Sequence, residues 1–167
     1  DYGYKSSDLY STSRARGTLS CFYRHLQNDT PYGHIGDQDI TAQVDFTSVM
    51  NISERLGLQN LGITTQRSFL INLGAQQMLQ RLVQLNLDQG ELNANRMAML
   101  DIMRPGGLGD FKVLMQSKGI GRPDLWGLES KAELEELVSL LPVMLLEDHH
   151  QPIMTGKYPH LNYGLKE

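Results

Sequence analysis

The sequence predicts an α/β fold, in which short strands and amphipathic helices are mixed along one chain. Three runs carry the strand signal: Thr18–Arg24, rich in β-formers, the apolar stretch Leu58–Thr64, and the alternating Gly109–Gln116. Around them, apolar residues recur at helical spacing in 45–57, 65–87, 92–103 and 130–141. With 167 residues, 40% of them hydrophobic and 20% charged, the chain has the composition of a globular domain and the length of one.

In chain order, Asp1-Tyr2-Gly3-Tyr4 reads as the end of a strand running into a turn. Residues 5–17 are small and polar without periodicity, which predicts a loop. After the strand Thr18–Arg24, residues 28–39 carry Pro31, Gly33, Gly36 and three Asp, a second long loop. Asp45 is placed to cap a helix that presents Phe46, Val49, Met50 and Leu56 on one face and stops at Gly57. Thr65 caps the next helix, with Phe69, Leu70 and Leu73 inward and Gly74 as a break. Residues 75–87 continue helically through Met78, Leu79, Leu82 and Val83. A further helix over 92–103 is stopped by Pro105 and Gly106. Ser130 with Glu133 has the spacing of a capping box ahead of Leu134, Leu137, Val138 and Leu141. Beyond Pro142 the tail through Glu167 is expected to be irregular.

Several function classes lose support at once. A formal charge of −4 supplies no basic field for a phosphate backbone, so nucleic acid is not an expected partner. The longest apolar run, Leu140–Leu146, is broken by Pro142 and is far too short to span a bilayer. The lone Cys21 excludes an internal disulfide and fits a reducing compartment; inside a strand it reads as an inert buried thiol. No His or Cys stands at a metal-binding spacing, so no metal site is expected. Gly106-Gly107-Leu108-Gly109-Asp110 precedes a strand, not a helix, and reads as a turn rather than a phosphate cradle. The start at Asp1, with no apolar leader, reads as a fragment or a processed product.

What remains is a set of acidic groups near the loops. Asp1 would lie at the C-terminal end of a strand, where open α/β sheets bind ligands. Asp39 and Asp45 bracket a short apolar stretch with Thr41 and Gln43 between them; for each, capping or bracing a loop is the plainer role.

The order of longer segments says more. Asp-Tyr-Gly-Tyr at 1–4 is followed by Gly17-Thr18-Leu19 and His25, then by Gly36-Asp37-Gln38-Asp39-Ile40-Thr41-Ala42-Gln43-Val44-Asp45-Phe46. Thr65-Gln66 with Phe69-Leu70 comes next, and Phe111-Lys112-Val113-Leu114 closes the series. This succession, over residues 1–118, resembles the C-terminal half of the MidA-type methyltransferases dependent on S-adenosylmethionine (SAM). That family is also known through a mitochondrial respiratory complex I assembly factor. Gln43 stands where the family usually carries a His.

The resemblance implies the C-terminal part of a class I, Rossmann-like methyltransferase fold at 1–120, followed by an extension at 121–167 with one amphipathic helix. It implies SAM as cofactor, with most of the pocket upstream of Asp1. A single mostly parallel sheet would include 1–4 and end in a pair formed by 58–64 and 111–116. The activity implied is methyl transfer to a protein side chain, arginine first, in support of complex I-type assembly. Asp39 and Asp45 are then the candidate catalytic carboxylates, since an arginine acceptor needs groups that accept its guanidinium hydrogen bonds. Asp1, Tyr2 and Gly3 are the candidate cofactor contacts; His25, Thr41 and Gln43 are the candidate substrate contacts. A bacterial cytoplasmic location is expected ahead of the mitochondrial matrix, with self-association through open sheet edges. The competing class is a non-catalytic docking module that keeps the fold, its partner surface being the helix at 130–141, although that helix more simply packs on its own domain.

Overall fold

In the computed structural model the described residues are 2–24 and 26–146. Asp1, His25 and the tail 147–167 lie outside them, and so does the expectation of an irregular tail. The chain divides into two compact units, Asp1–Gly62 with Leu114–Pro123, and Ile63–Val113 with Asp124–Glu167.

The first unit begins with β1 (Gly3–Tyr4), α1 (Ser6–Leu9) and a 3₁₀ turn at Thr12–Arg14. The expected loop over 5–17 therefore contains two helical turns. They escape a periodicity argument because helical turns of four and three residues are too short to show an apolar period. Next come β2 (Ser20–Tyr23), β3 (Leu26–Asn28), β4 (Asp39–Thr41) and β5 (Val44–Asp45). Only β2 was legible; β3, β4 and β5 have two or three residues each, too few to display an alternation. β2 is central in an antiparallel sheet of order β3-β2-β4, with Cys21 opposite both Asn28 and Ile40. Cys21 is fully buried there, as expected of a strand thiol. β1 pairs in parallel with β5, Gly3 opposite Val44 and Tyr4 opposite Asp45.

α2 (Phe46–Arg55) follows at once, capped by Asp45 as predicted. Its expected apolar face is only partly inward: Phe46 is buried, whereas Val49 is 38% and Leu56 65% exposed. Spacing locates a stripe but not the surface, if any, that covers it. β6 (Gln59–Thr65) pairs with β7 (Lys112–Ser117), and the division between units runs through both strands. Within the first unit Asn60 ties α2 to this pair, donating to Met50 O at 3.3 Å and Glu54 Oε1 at 2.7 Å while accepting from Gln116. Among the described strands there are thus three small sheets, where one sheet was expected: the ladder partner of β1 is β5, and that of β6 is β7.

The second unit is helical: α3 (Gln66–Asn72), α4 (Ala75–Leu82), α5 (Gln89–Ile102) and α6 (Leu134–Leu140). Thr65 caps α3 through Ser68 N, and Gly74, at φ 92°, separates α3 from α4 as its position predicted. α4 stops at Leu82, short of the expected residue 87, and Val83 is exposed. α5 starts earlier than the expected residue 92, because Asp88 and Glu91 form a reciprocal capping box ahead of the first apolar residue. The box expected from Ser130 and Glu133 does not form: α6 begins at Leu134 with no side-chain cap. Leu134 and Val138 are its buried face, while Leu137 and Leu141 stay exposed. Leu82 and Val138 are completely buried, and burial of such side chains stabilises by about 1.5–3 kcal/mol each. Arg81 holds the end of α6, donating to the carbonyls of Val138 and Leu141.

Candidate functional site

The β1–β5 pairing gathers residues far apart in the sequence, Gly3 with Val44 and Tyr4 with Asp45. Val44 N donates to Tyr2 O at 2.9 Å, which sets Tyr2 and Gly3 beside Gln43, Val44 and Asp45. Gly3 is buried, and a Cβ there would fall on the Phe46 ring and 2.6 Å from Val44 O. The position admits only glycine because two backbones and a ring meet across it.

Asp45 carries the polar centre of this corner. Its Oδ1 accepts from Thr47 N at 3.0 Å, Ser48 N at 3.2 Å and Ser6 Oγ at 2.7 Å; its Oδ2 accepts from Ser48 Oγ at 2.8 Å and Ser6 Oγ at 2.9 Å. Ser6 N in turn donates to Thr47 Oγ1 at 3.0 Å, so α1 is bonded to the first turn of α2. The Ser6 hydroxyl, then the Ser48 hydroxyl and the two amides, hold the Asp45 carboxyl below the usual carboxylate range, against a smaller opposing effect of burial. A depressed folded pKa means stability that is present above the unfolded value of about 3.9 and lost as pH falls through the folded one. Asp45→Asn keeps a good cap but removes that proton linkage. We therefore expect thermal melting to fall more gently with acidification below about pH 5 in Asp45→Asn than in the parent chain. Parallel melting curves with identical acid slopes would contradict it.

The other carboxylate is differently placed. Asp39 lies exposed at the start of β4 opposite Phe22, in the β3-β2-β4 sheet, whereas Asp45 belongs to the β1–β5 pair. The two are thus not on one ladder. Thr41 lies opposite Ser20 and donates Oγ1 to its carbonyl at 3.2 Å. Gln43 N donates to Thr18 Oγ1 at 3.1 Å. Asp1 and His25, the remaining expected site residues, lie outside the described residues.

Gln43 and Thr18 also line an open depression of about 450 Å³ with Leu9, Tyr10, Ser11, Arg14, Ala15 and Gly17. Sequence reasoning missed Ser6, Thr47 and Arg14: Ser6 and Arg14 sit in a polar stretch where nothing marks one residue above its neighbours, and Thr47 falls among the apolar positions of α2, where only its fold partner Ser6 gives it a role. In the second unit, Ile71, Leu79, Met97, Leu100 and Met103 line a more apolar hollow of about 300 Å³ with Arg67, Asp101 and Arg104 at its polar positions. Arg104 pairs with the buried Asp101 at 3.2 Å. Gly106–Asp110 forms the expected turn ahead of β7, Gly106 N donating to Asp110 Oδ2 at 2.9 Å. Among the described residues no group of His, Cys, Asp and Glu is arranged to hold a metal ion, and no helix is long and apolar enough to cross a membrane.

Residues 1–64 match the profile of a family described as "Putative S-adenosyl-L-methionine-dependent methyltransferase". Two crystal structures from Burkholderia thailandensis are similar over 72% of this chain. One, of an uncharacterised protein, is 34% identical with a TM-score of 0.64 and is covered over 32% of its length. The other, described as a "likely methyl transferase" of the same superfamily bound to S-adenosyl-homocysteine, is 33% identical with a TM-score of 0.62 and is covered over 31%. The chain thus spans about a third of the length of these structures. No curated protein matches.

Proposed function

We propose that this chain is the C-terminal portion of a SAM-dependent methyltransferase of the MidA type, with a class I, Rossmann-like domain reaching 1–120 and an extension at 121–167. The observation that carries the reading is that the matched stretch, residues 1–64, is the stretch that brings Tyr2, Gly3, Gln43 and Asp45 to one corner. A relative bound to the demethylated cofactor product supports the choice of SAM.

The residues at that corner fit one edge of a SAM site. Tyr2 is exposed, whereas Gly3 is buried against Phe46 and Val44 and contributes through the backbone it allows beside Tyr2; no described acid there is free of other duties to hold a ribose. When bound, SAM supplies a methyl group already activated on a sulfonium, so the protein's contribution is alignment rather than acid–base power. On this reading Tyr2 and Gly3, with Asp1, shape the cofactor side. Thr41, Gln43 and His25 contact the acceptor. The acceptor is a protein side chain, arginine first, of a complex I-type subunit, in the bacterial cytoplasm ahead of the mitochondrial matrix.

Asp39 and Asp45 are the acceptor-side carboxylates of this proposal, but with unequal capacity. A carboxylate offers about four lone-pair sites. Asp45 already accepts from two amides and two hydroxyls, so Asp39 has more to offer a guanidinium.

Calorimetry with SAM, run on this chain and on a form extended upstream, tests the reading. Binding by the extended form alone is the expected result. With that form in hand, Asp39→Asn should slow methylation more than Asp45→Asn; unchanged rates in both would remove the carboxylate roles. Binding by neither form would favour the docking module. For that alternative, α6 packs Leu134 and Val138 against Gly74 within its own unit and leaves Leu137, Leu140 and Leu141 exposed as the apolar face it could offer a partner among its described residues. Stoichiometric binding by the short chain would overturn the view that its pocket is incomplete.

A further inference from the structure

Among the described residues, Arg14 is the one charged residue lining the 450 Å³ depression of the first unit. Its Nη1 donates to Asp8 O at 2.8 Å and to Ser11 Oγ at 3.3 Å, and its Cζ lies 3.9 Å from the centre of the Tyr4 ring. These contacts fix the head of a side chain that is ordinarily mobile. A guanidinium carries five N–H donors in a planar fork. Both hydrogen bonds made by Arg14 leave through Nη1, so Nε and Nη2 have no partner among the described residues. That remaining pair is the edge which takes a carboxylate by two parallel bonds. No described carboxylate uses it: the ion pairs among the described residues are Arg104 with Asp101 and Lys131 with Asp124. The rest of the described wall is uncharged: Leu9 and Ala15 are apolar, and Tyr10, Ser11, Thr18 and Gln43 carry polar groups, the Thr18 hydroxyl accepting from Gln43 N. A cation already ordered in a hollow loses little freedom on binding an anion and repels a second cation.

We propose that this depression binds a carboxylate through the Nε–Nη2 edge of Arg14, and that the carboxylate belongs to an acidic side chain of the polypeptide acceptor. The second half rests on the methyltransferase reading; the carboxylate site itself does not. The guanidinium to be methylated is then not the group that enters this hollow. An acidic residue near it in the acceptor does, and it sets which arginine is presented.

The test is an NMR titration of the whole chain with N-acetyl-glutamate N-methylamide and, separately, its glutamine counterpart. The pair differs by one charge at constant shape. The glutamate compound is expected to bind about tenfold more tightly, shifting the amides of Thr18 and Gln43. Arg14→Gln should abolish that preference, and Arg14→Lys, which keeps the charge without the fork, should retain part of it. Gln43→Glu, which places a carboxylate in the hollow itself, should suppress binding even if Arg14→Gln proves too unstable to study. Equal binding of the two compounds, or a glutamate preference that survives Arg14→Gln or Gln43→Glu in a folded protein, would overturn the site. S-adenosyl-homocysteine titrated into the upstream-extended protein separates the two ideas. If it binds while the glutamate preference is absent, the carboxylate site alone falls. If the preference holds and S-adenosyl-homocysteine does not bind, the methyltransferase reading falls and the site stands.

Discussion

Gly3→Ala is expected to destabilise the first unit by about 3 kcal/mol or more, at the upper end of what overpacking costs. The added methyl would meet the Phe46 ring and, at 2.6 Å, the carbonyl oxygen of Val44. A ring can swing aside, but the carbonyl belongs to the strand that Gly3 is paired with and moves only if the pair opens. Opening it also displaces Asp45, which follows Val44 and holds both α1 and the first turn of α2. The measurement is hydrogen exchange at the Val44 amide, which donates to Tyr2 O and should lose protection together with the amides of Thr47 and Ser48. Phe46→Leu in the same background should recover only part of the loss, because it relieves the ring and not the carbonyl. Full recovery, or unchanged exchange in Gly3→Ala alone, would show that the strand pair tolerates the methyl.

A comparable effect is expected in the second unit from Gly74→Ala. Gly74 sits at φ 92°, a left-handed conformation that costs an L-residue roughly 1–2 kcal/mol. Its Cβ would run into Val138 Cγ2 and stand 3.4 Å from Leu134 Cδ1. Val138 is completely buried and has nowhere to go, so the methyl pushes α6 away from the turn between α3 and α4. Together the two causes should amount to about 2–5 kcal/mol, seen as a lower melting temperature. Val138→Ala alone should destabilise by leaving a cavity, yet combined with Gly74→Ala it should cost less than the two separate losses summed. That sign of coupling identifies the clash; simple additivity would mean that the backbone strain at Gly74 acts alone.

The local signals and the tertiary ones divide along physical lines. Capping at Asp45 and Thr65, the helix break at Gly74 and the turn at Gly106–Asp110 were legible because each depends on neighbours within four residues. The same logic failed at Ser130, whose spacing to Glu133 matched a capping box that the chain does not form, and at Asp88, where a real box precedes the apolar run. For the candidate site, the sequence marked Asp45 as a cap and as one of the acidic groups near the loops, gave site roles to Tyr2, Gly3, Thr41 and Gln43 only through the order of the family-like segments, and passed over Ser6 and Arg14.

By itself, then, the sequence determined the α/β class, most helices, the strands at β1, β2, β6 and β7, and a methyltransferase resemblance read over residues 1–118, of which residues 1–64 match the family profile. Periodicity, caps and motif order are written in contiguous residues, and contiguous residues suffice to read them. Only the tertiary structure decided that β1 pairs with β5, that Ser6 reaches Asp45 across 39 positions, and that Arg14 lies fixed on Tyr4 with part of its guanidinium unpartnered among the described residues. Strands of two residues have no period to detect, and a hydrogen bond between distant hydroxyl and carboxylate leaves no trace in spacing. The ladder and the bond exist because closing the chain brings them together, and that information belongs to the fold.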